Sequence, residues 1–314
     1  KILLKINKVF GVNNMNNIFV KNLSNKEPTK DITEDDIKYK IPLITSKKKR
    51  IVKINKHIIF SEKVIPIIAG PNGVESRELI FKVGKFLKKN GLKILRGHAF
   101  KPLTFPYRSK KYLETQFEGM NWLDEVKRHL GLSIVTEVTE LKYLDRICLT
   151  ADILQIGSRN MQNLELLKEI ARTNKPIILK RHFGASLRDL LGAAEHILLE
   201  GNNKLILCER GIAAPHTHRA TSRFILDVQA IAALKELVRY PIISDPSHAS
   251  FWAPYVPSLA YASIAANCDG LIIETHPNPS ESAVDPLQPL NFNEFKKFLN
   301  TSKKISKVFN KKII

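Results

Sequence analysis

The chain has 314 residues, 44% of them apolar, enough for one large α/β core or two small ones and too many for global disorder. It contains no run of about 18 apolar residues, which excludes a membrane-spanning helix. The net charge of +20 invites a nucleic-acid reading, but residues 1–56 carry a net +9 and residues 296–314 a net +7, leaving +4 for everything between.

The excess charge therefore belongs to the ends, and nothing here resembles a base-reading element, so no specific nucleic-acid partner is expected. Residues 1–49 read as a basic N-terminal arm, partly disordered. Its first 26 residues hold no acid, as a transit segment would, but they also lack Arg and contain one hydroxyl residue, Ser24. "KRIVKINKHIIF" reads as a small hairpin able to plug one end of a barrel. Cys148, Cys208 and Cys268 are odd in number and set in apolar runs, as reduced, buried thiols of a cytoplasmic protein would be.

Eight strand-then-helix units follow. "VIPIIAG" leads to a helix from about Glu75 to Asn90, and "LKILRG" leads through a long loop to one around Leu123–Leu130. "SIVTEV" precedes Leu141–Cys148, "ADILQIG" precedes Asn160–Thr173, and "KPIILKR" precedes Ser186–Leu199. "NKLILCERG" precedes a helix from about Thr221 to Tyr240, "YPIISD" one from Pro257 to Asn267, and "CDGLIIETH" one over Asn293–Leu299. The strands are continuous apolar runs, as in a buried parallel sheet. Eight units predict an α/β chain folded as a (β/α)8 TIM barrel over residues 50–300, with the hairpin at its N-terminal end; a doubly wound open sheet is the alternative. Residues 301–314 read as a basic C-terminal tail.

Nearly every strand ends in a residue suited to an anion or a metal: Asn72, Arg96 with Lys101, Glu137, Arg159, Lys180-Arg181, Glu209-Arg210, Asp245 with His248, and Glu274 with His276. Taken singly, a charge after a strand simply faces water. Eight in succession converge on one mouth of a barrel, where several cations are tolerable chiefly around a small, multiply charged phosphate or carboxylate. No GK[ST] loop is present, which argues against a P-loop nucleotide site. His248, Glu274 and Asp285 suit a divalent first-row metal. His216 and His218, after strand six, read as part of a loop over the substrate rather than a metal site. His98 and His182 lie near the mouth without an assigned role.

The segments "AGPNGVESRE", "LRGHAFKPLTFPY", "IVTEV", "ILQIGSRNMQN", "ILKRHF", "LCERG", "DPSHAS" and "IIETHPNP" resemble the type I 3-deoxy-D-arabino-heptulosonate 7-phosphate (DAHP) synthases. The likeness is to the short-chain branch related to the 3-deoxy-D-manno-octulosonate 8-phosphate synthases. It implies a cytoplasmic TIM-barrel transferase that joins phosphoenolpyruvate to an aldose phosphate, most simply erythrose 4-phosphate, and feeds aromatic biosynthesis through the shikimate pathway. The alternatives are an octulosonate-type or other 3-deoxy-sugar synthase, and a non-catalytic anion-binding relative. Homodimers or homotetramers are implied, with no membrane partner.

Carried over by position, the resemblance implies substrate binding by Arg96, Lys101, Thr104, Glu137, Arg159, Lys180, Arg210 and Asp245. Arg159 and Arg210 would hold the phosphoenolpyruvate phosphate. Lys101, Asn72 and His248 form the implied catalytic set, with Lys101 as proton donor because lysine titrates where arginine does not. His248, Glu274 and Asp285 would ligate Mn, Fe or Zn, weakly or not at all, because Asn72 stands where these synthases place a Cys; activity without metal is the expectation. A second departure is "KPLTFP" for the usual KPRTS: Leu103 replaces the Arg on the aldose phosphate, and Arg108 is the nearest substitute.

Overall fold

A computed structural model describes residues 40–48, 50–101, 114–215 and 223–314. Strands β1 (Val52–Asn55) and β2 (Ile58–Phe60) pair antiparallel and are followed by the two-residue β3 (Val64–Ile65). Eight parallel strands come next: β4 (Ile67–Gly70), β5 (Ile94–Arg96), β6 (Ser133–Glu137), β7 (Ile153–Ile156), β8 (Ile177–Lys180), β9 (Leu205–Glu209), β10 (Ile242–Ser244) and β11 (Leu271–Glu274). They close into a barrel, with β11 hydrogen-bonded back to β4. The helices between them are α1 (Arg77–Lys89), α2 (Gln116–Leu130), α3 (Leu144–Thr150), α4 (Leu164–Arg172), α5 (Leu187–Leu199), α6 (Val228–Leu237), α7 (Pro246–Ser250), α8 (Val256–Ala265) and α9 (Phe292–Val308). The expected barrel is the fold.

Every barrel-strand residue is buried, which is why these strands carry no polar alternation. One face packs under the helices; the other fills the lumen. Ile68, Ile94, Val135, Ile153, Ile178, Ile206, Ile243 and Ile272, one from each strand, form an interior cluster with Val52, Ile58 and Phe60 of the hairpin. The hairpin thus closes the N-terminal end, as expected.

Because side chains alternate along a strand, the residue two positions beyond each lumen residue also points inward, one layer nearer the C-terminal mouth. That step leads from Ile94 to Arg96, Val135 to Glu137, Ile153 to Gln155, Ile178 to Lys180, Ile243 to Asp245 and Ile272 to Glu274. A polar layer therefore sits on the apolar one.

The ends differ from expectation where the structure describes them. Residues 301–314 are not a tail: α9 runs through position 300 and buries Phe295, Phe298, Leu299, Ser302 and Ser306. Beyond it β12 (Lys312–Ile313) pairs with β3, and the buried Lys311 donates to the Asn267 and Cys268 carbonyls at 2.9 and 2.7 Å. At the other end, the backbone N–H groups of Leu43 and Ile44 each donate to the Glu195 carboxylate at 2.9 Å, which ties the close of the basic arm to α5. Residues 1–39 lie outside the described residues. A further difference is α7, which the sequence reading took as the end of strand seven. Asp245 caps it by accepting the His248 N–H at 3.1 Å, and Pro246 supplies the fixed φ of its first turn.

Candidate active site

A cavity of about 450 Å³ opens at the C-terminal mouth of the barrel. Of the residues expected there, Asn72, Lys101, Glu137, Arg159, Lys180, Arg210, His248 and Asp285 line it. Thr104, Leu103, Arg108, His216 and His218 fall outside the described residues.

Arg96, Asp245 and Glu274, also expected at the mouth, are completely buried and are not among the residues that line the cavity. Arg96 Nη2 donates to the Gly70 carbonyl at 3.2 Å and lies 3.2 Å from Glu274 Oε2, which Gln288 Nε2 also contacts. Asp245 Oδ2 takes Lys180 Nζ at 2.5 Å and lies 2.9 Å from His248 Nδ1. By strand register these three side chains point into the lumen.

The electrostatics follow from that layering. Burial alone would raise the Asp245 pKa, but His248 and Lys180 outweigh it and hold the carboxyl well below the ordinary range. Glu137 is likewise pulled below that range, its burial overcome by the Lys101 ammonium 2.9 Å away. Burial drives the His248 pKa down to about 3, only partly offset by Asp245, so the imidazole is neutral at physiological pH. Burial, with a smaller contribution from the nearby Asp285, raises Glu274 to about 7 despite Arg96. Burial lowers Arg210 to about 10, and it remains a cation at pH 7.

Polar atoms at the wall have capacity for a ligand: Asn72 Oδ1, Gln155 Oε1 and Arg210 Nη1 are among those buried without a hydrogen-bond partner among the described residues. Asn72 Nδ2 donates to Asp285 Oδ2 at 3.1 Å, joining the first and last βα loops, which are neighbours in the closed barrel.

As a metal site the expected ligands fit poorly. No three His, Cys, Asp or Glu side chains among the described residues are grouped to hold a cation. Glu274 Oε2 is committed to Arg96 and Gln288, and Asn72 turns its amide N–H, not its oxygen, towards Asp285. An amide is in any case a weaker ligand than a thiolate.

Some wall residues were not anticipated. Gln155 donates from Nε2 to Glu137 Oε2 at 3.3 Å; it was hidden inside the apolar run "ADILQIG", although it stands two beyond the lumen residue Ile153. Phe183 and Phe224 stack with centroids 5.1 Å apart, and the Arg210 guanidinium lies 4.4 Å over the Phe224 ring. Arg223 lies 5.7 Å over the same ring and lines the cavity with it. No local signal marks these loop residues. Arg181 and His276, read at strand ends, serve elsewhere: Arg181 pairs with Glu209 and Asp227 at 2.9 and 3.0 Å, and His276 Nδ1 accepts the Asn278 N–H at 3.1 Å.

A closed parallel barrel with cations and paired carboxylates at its C-terminal mouth defines an enzyme for small phosphorylated or carboxylated substrates. The chain belongs to the DAHP synthetase I family, whose model matches residues 45–311. It is 38% identical over 247 residues to the phospho-2-dehydro-3-deoxyheptonate aldolase of Thermotoga maritima, covering 79% of this chain and 71% of that one. It is 26% identical over 235 residues to the 2-dehydro-3-deoxyphosphooctonate aldolase of Methylococcus capsulatus, covering 70% and 81%. The crystal structure of the Thermotoga maritima DAHP synthase superposes with a TM-score of 0.79 at 34% identity, over 86% of this chain and 76% of that one. A truncated form of the Thermotoga synthase gives 0.77 at 33% identity, over 86% and 96%.

Proposed function

We propose that the chain condenses phosphoenolpyruvate with an aldose phosphate, most simply erythrose 4-phosphate, and releases inorganic phosphate as the first step of aromatic biosynthesis. The observation that carries this reading is the set of cationic side chains on one cavity wall, Lys101, Lys180 and Arg210, each beside a carboxylate or an aromatic ring that fixes it. In the reaction C3 of phosphoenolpyruvate bonds to the aldehyde carbon, water adds at C2, and the phosphate leaves with its bridging oxygen. Lys101 donates the proton to the new alkoxide, and Glu137 holds that ammonium in place. Arg159, Arg210 and Lys180 take the phosphate and carboxylate. Assembly into homodimers or homotetramers belongs to the same proposal.

Phosphate release with phosphoenolpyruvate and a panel of four- and five-carbon aldoses, with and without their phosphates, tests the reading. Turnover with a four-carbon aldose phosphate is the expected result. Preference for a five-carbon one makes the chain an octulosonate-type synthase, and no turnover with any aldose leaves an anion-binding relative. Leu103→Arg is expected to lower KM for the aldose phosphate by about ten- to a hundredfold, on the order of the 1.5–3 kcal/mol of a charged hydrogen bond. KM for phosphoenolpyruvate should not move.

The poor metal fit supports a reaction that needs no tightly bound cation. Elemental analysis of the purified protein is expected to give well under one metal per chain, with turnover unaffected by a chelator. Asn72→Cys places a thiolate beside Asp285 and should raise the metal content. Stoichiometric metal in the unsubstituted protein, lost together with activity on chelation, would refute this.

A further inference from the structure

His98 has no part in the chemistry above, yet it is completely buried directly behind the cavity wall. It continues the inward register of β5, two beyond Arg96 and four beyond Ile94. Its main chain bridges to Gly73, and its carbonyl accepts the Val74 N–H at 3.0 Å, so it is joined to the turn that carries Asn72. On the ring, Nδ1 accepts the Glu137 backbone N–H at 2.9 Å. Nε2 lies 3.3 Å from the Gln155 side-chain amide and 3.8 Å from Glu137 Oε2.

Burial drives the His98 pKa far below its ordinary value; Glu137 opposes that shift, and Lys101, Arg96 and Lys180 add to it. A neutral ring that accepts at Nδ1 carries its proton on Nε2. The Glu137 carboxylate lies 3.8 Å from Nε2, beyond hydrogen-bond length, and its Oε2 accepts Lys101 Nζ at 2.9 Å. Imidazole and ammonium thus approach the same carboxylate, and the direct bond from the ring is to the Glu137 backbone. A buried, oriented polar group of this kind commonly fixes the geometry of the residue it touches.

We propose that His98 is a positioning residue for the condensation: its imidazole fixes Glu137 by accepting the backbone N–H of that residue, so that Glu137 presents Lys101 to the reacting atoms. The inference rests on the proposed reaction. An asparagine at this position places its Oδ1 about where Nδ1 sits and can still accept the Glu137 N–H. Phenylalanine keeps the ring but accepts nothing, and alanine keeps neither.

The test compares His98→Asn, His98→Phe and His98→Ala with the unsubstituted enzyme. The measurements are kcat with both substrates saturating, phosphoenolpyruvate affinity by calorimetry without aldose, and thermal midpoint. We expect Phe and Ala to lose about tenfold or more in kcat and Asn to stay within about threefold of the unsubstituted enzyme, as the loss of an aligned catalytic group predicts. Phe, which fills the site, should melt above Ala without regaining turnover.

The proposal is overturned if Phe or Ala keeps kcat within about threefold of the unsubstituted enzyme, or if turnover simply follows thermal midpoint with Asn no better than Ala. Should Phe fail to fold, the comparison of Asn with Ala decides. An unsubstituted enzyme inactive with every aldose would remove the proposed reaction instead. His98 would then be judged on phosphoenolpyruvate affinity alone, where equal values in Asn and Ala overturn it.

Discussion

Lys180→Ala is expected to reduce turnover below detection and to weaken phosphoenolpyruvate binding roughly ten- to a hundredfold, the loss of one or two charged hydrogen bonds. Lys180 is 3% exposed, lines the cavity and reaches Asp245 Oδ2 at 2.5 Å. Its removal leaves Asp245 wholly buried with only the neutral His248 beside its Oδ2. Breaking a buried pair from one side costs about 3–5 kcal/mol because the remaining charge is uncompensated. Two effects are therefore superimposed, one on binding and one on folding. Asp245→Asn in the Lys180→Ala background separates them, since it removes the stranded charge and keeps the shape. The double variant should recover much of the lost thermal stability and none of the turnover. Unchanged phosphoenolpyruvate affinity in Lys180→Ala, measured by calorimetry, would sink the assignment of Lys180 to the substrate.

The barrel was legible because the strands are buried on both faces and the sequence writes that as uninterrupted apolar runs. The cationic mouth was legible because strand ends point one way in a closed parallel barrel. Whether a strand-end charge reaches the cavity or stays beneath its lining was not legible. Arg96, Asp245 and Glu274 have the same local pattern as Glu137 and Lys180, yet only the last two line the cavity. The link from Asn72 to Asp285 joins positions 213 residues apart, and no local pattern predicts such a contact. The continuation of the C-terminal helix past Leu299 was missed because Ser302 and Ser306 occupy its buried stripe among lysines and mask the period set by Phe295, Phe298 and Leu299. Gln155, by contrast, was within reach. Counting by twos from Ile153 finds it, whereas reading the strand as a block of apolar residues does not.

Gly157→Ala is expected to be nearly as damaging as removing Lys180, by a different route. Gly157 follows β7 with φ −65° and ψ 154°, a conformation any residue adopts, so an alanine adds no backbone strain. What it adds is a methyl group whose Cβ would sit 1.9 Å from Glu137 Oε1 and 2.8 Å from Glu137 Cδ. Neither atom tolerates that distance, and the carboxylate has little freedom to retreat, since Gln155 and Lys101 both hold its Oε2, at 3.3 and 2.9 Å. The carboxylate must therefore leave its place, and the Lys101 ammonium loses the partner that orients it. A displacement of about 1 Å at a positioning group costs on the order of a hundredfold in rate, so kcat should fall by about that factor while the barrel still folds. Glu137→Asp shortens the side chain by one methylene and withdraws the carboxylate from Gly157. On its own that variant loses activity as well, because Lys101 is held less closely. In the Glu137→Asp background, however, adding Gly157→Ala should cost little more. The coupling between the two substitutions, read from kcat in a double-mutant cycle, is then large and of the sign that marks a shared contact. Additive losses would show that the methyl group acts elsewhere and that the space beside Gly157 is not reserved for the Glu137 carboxylate.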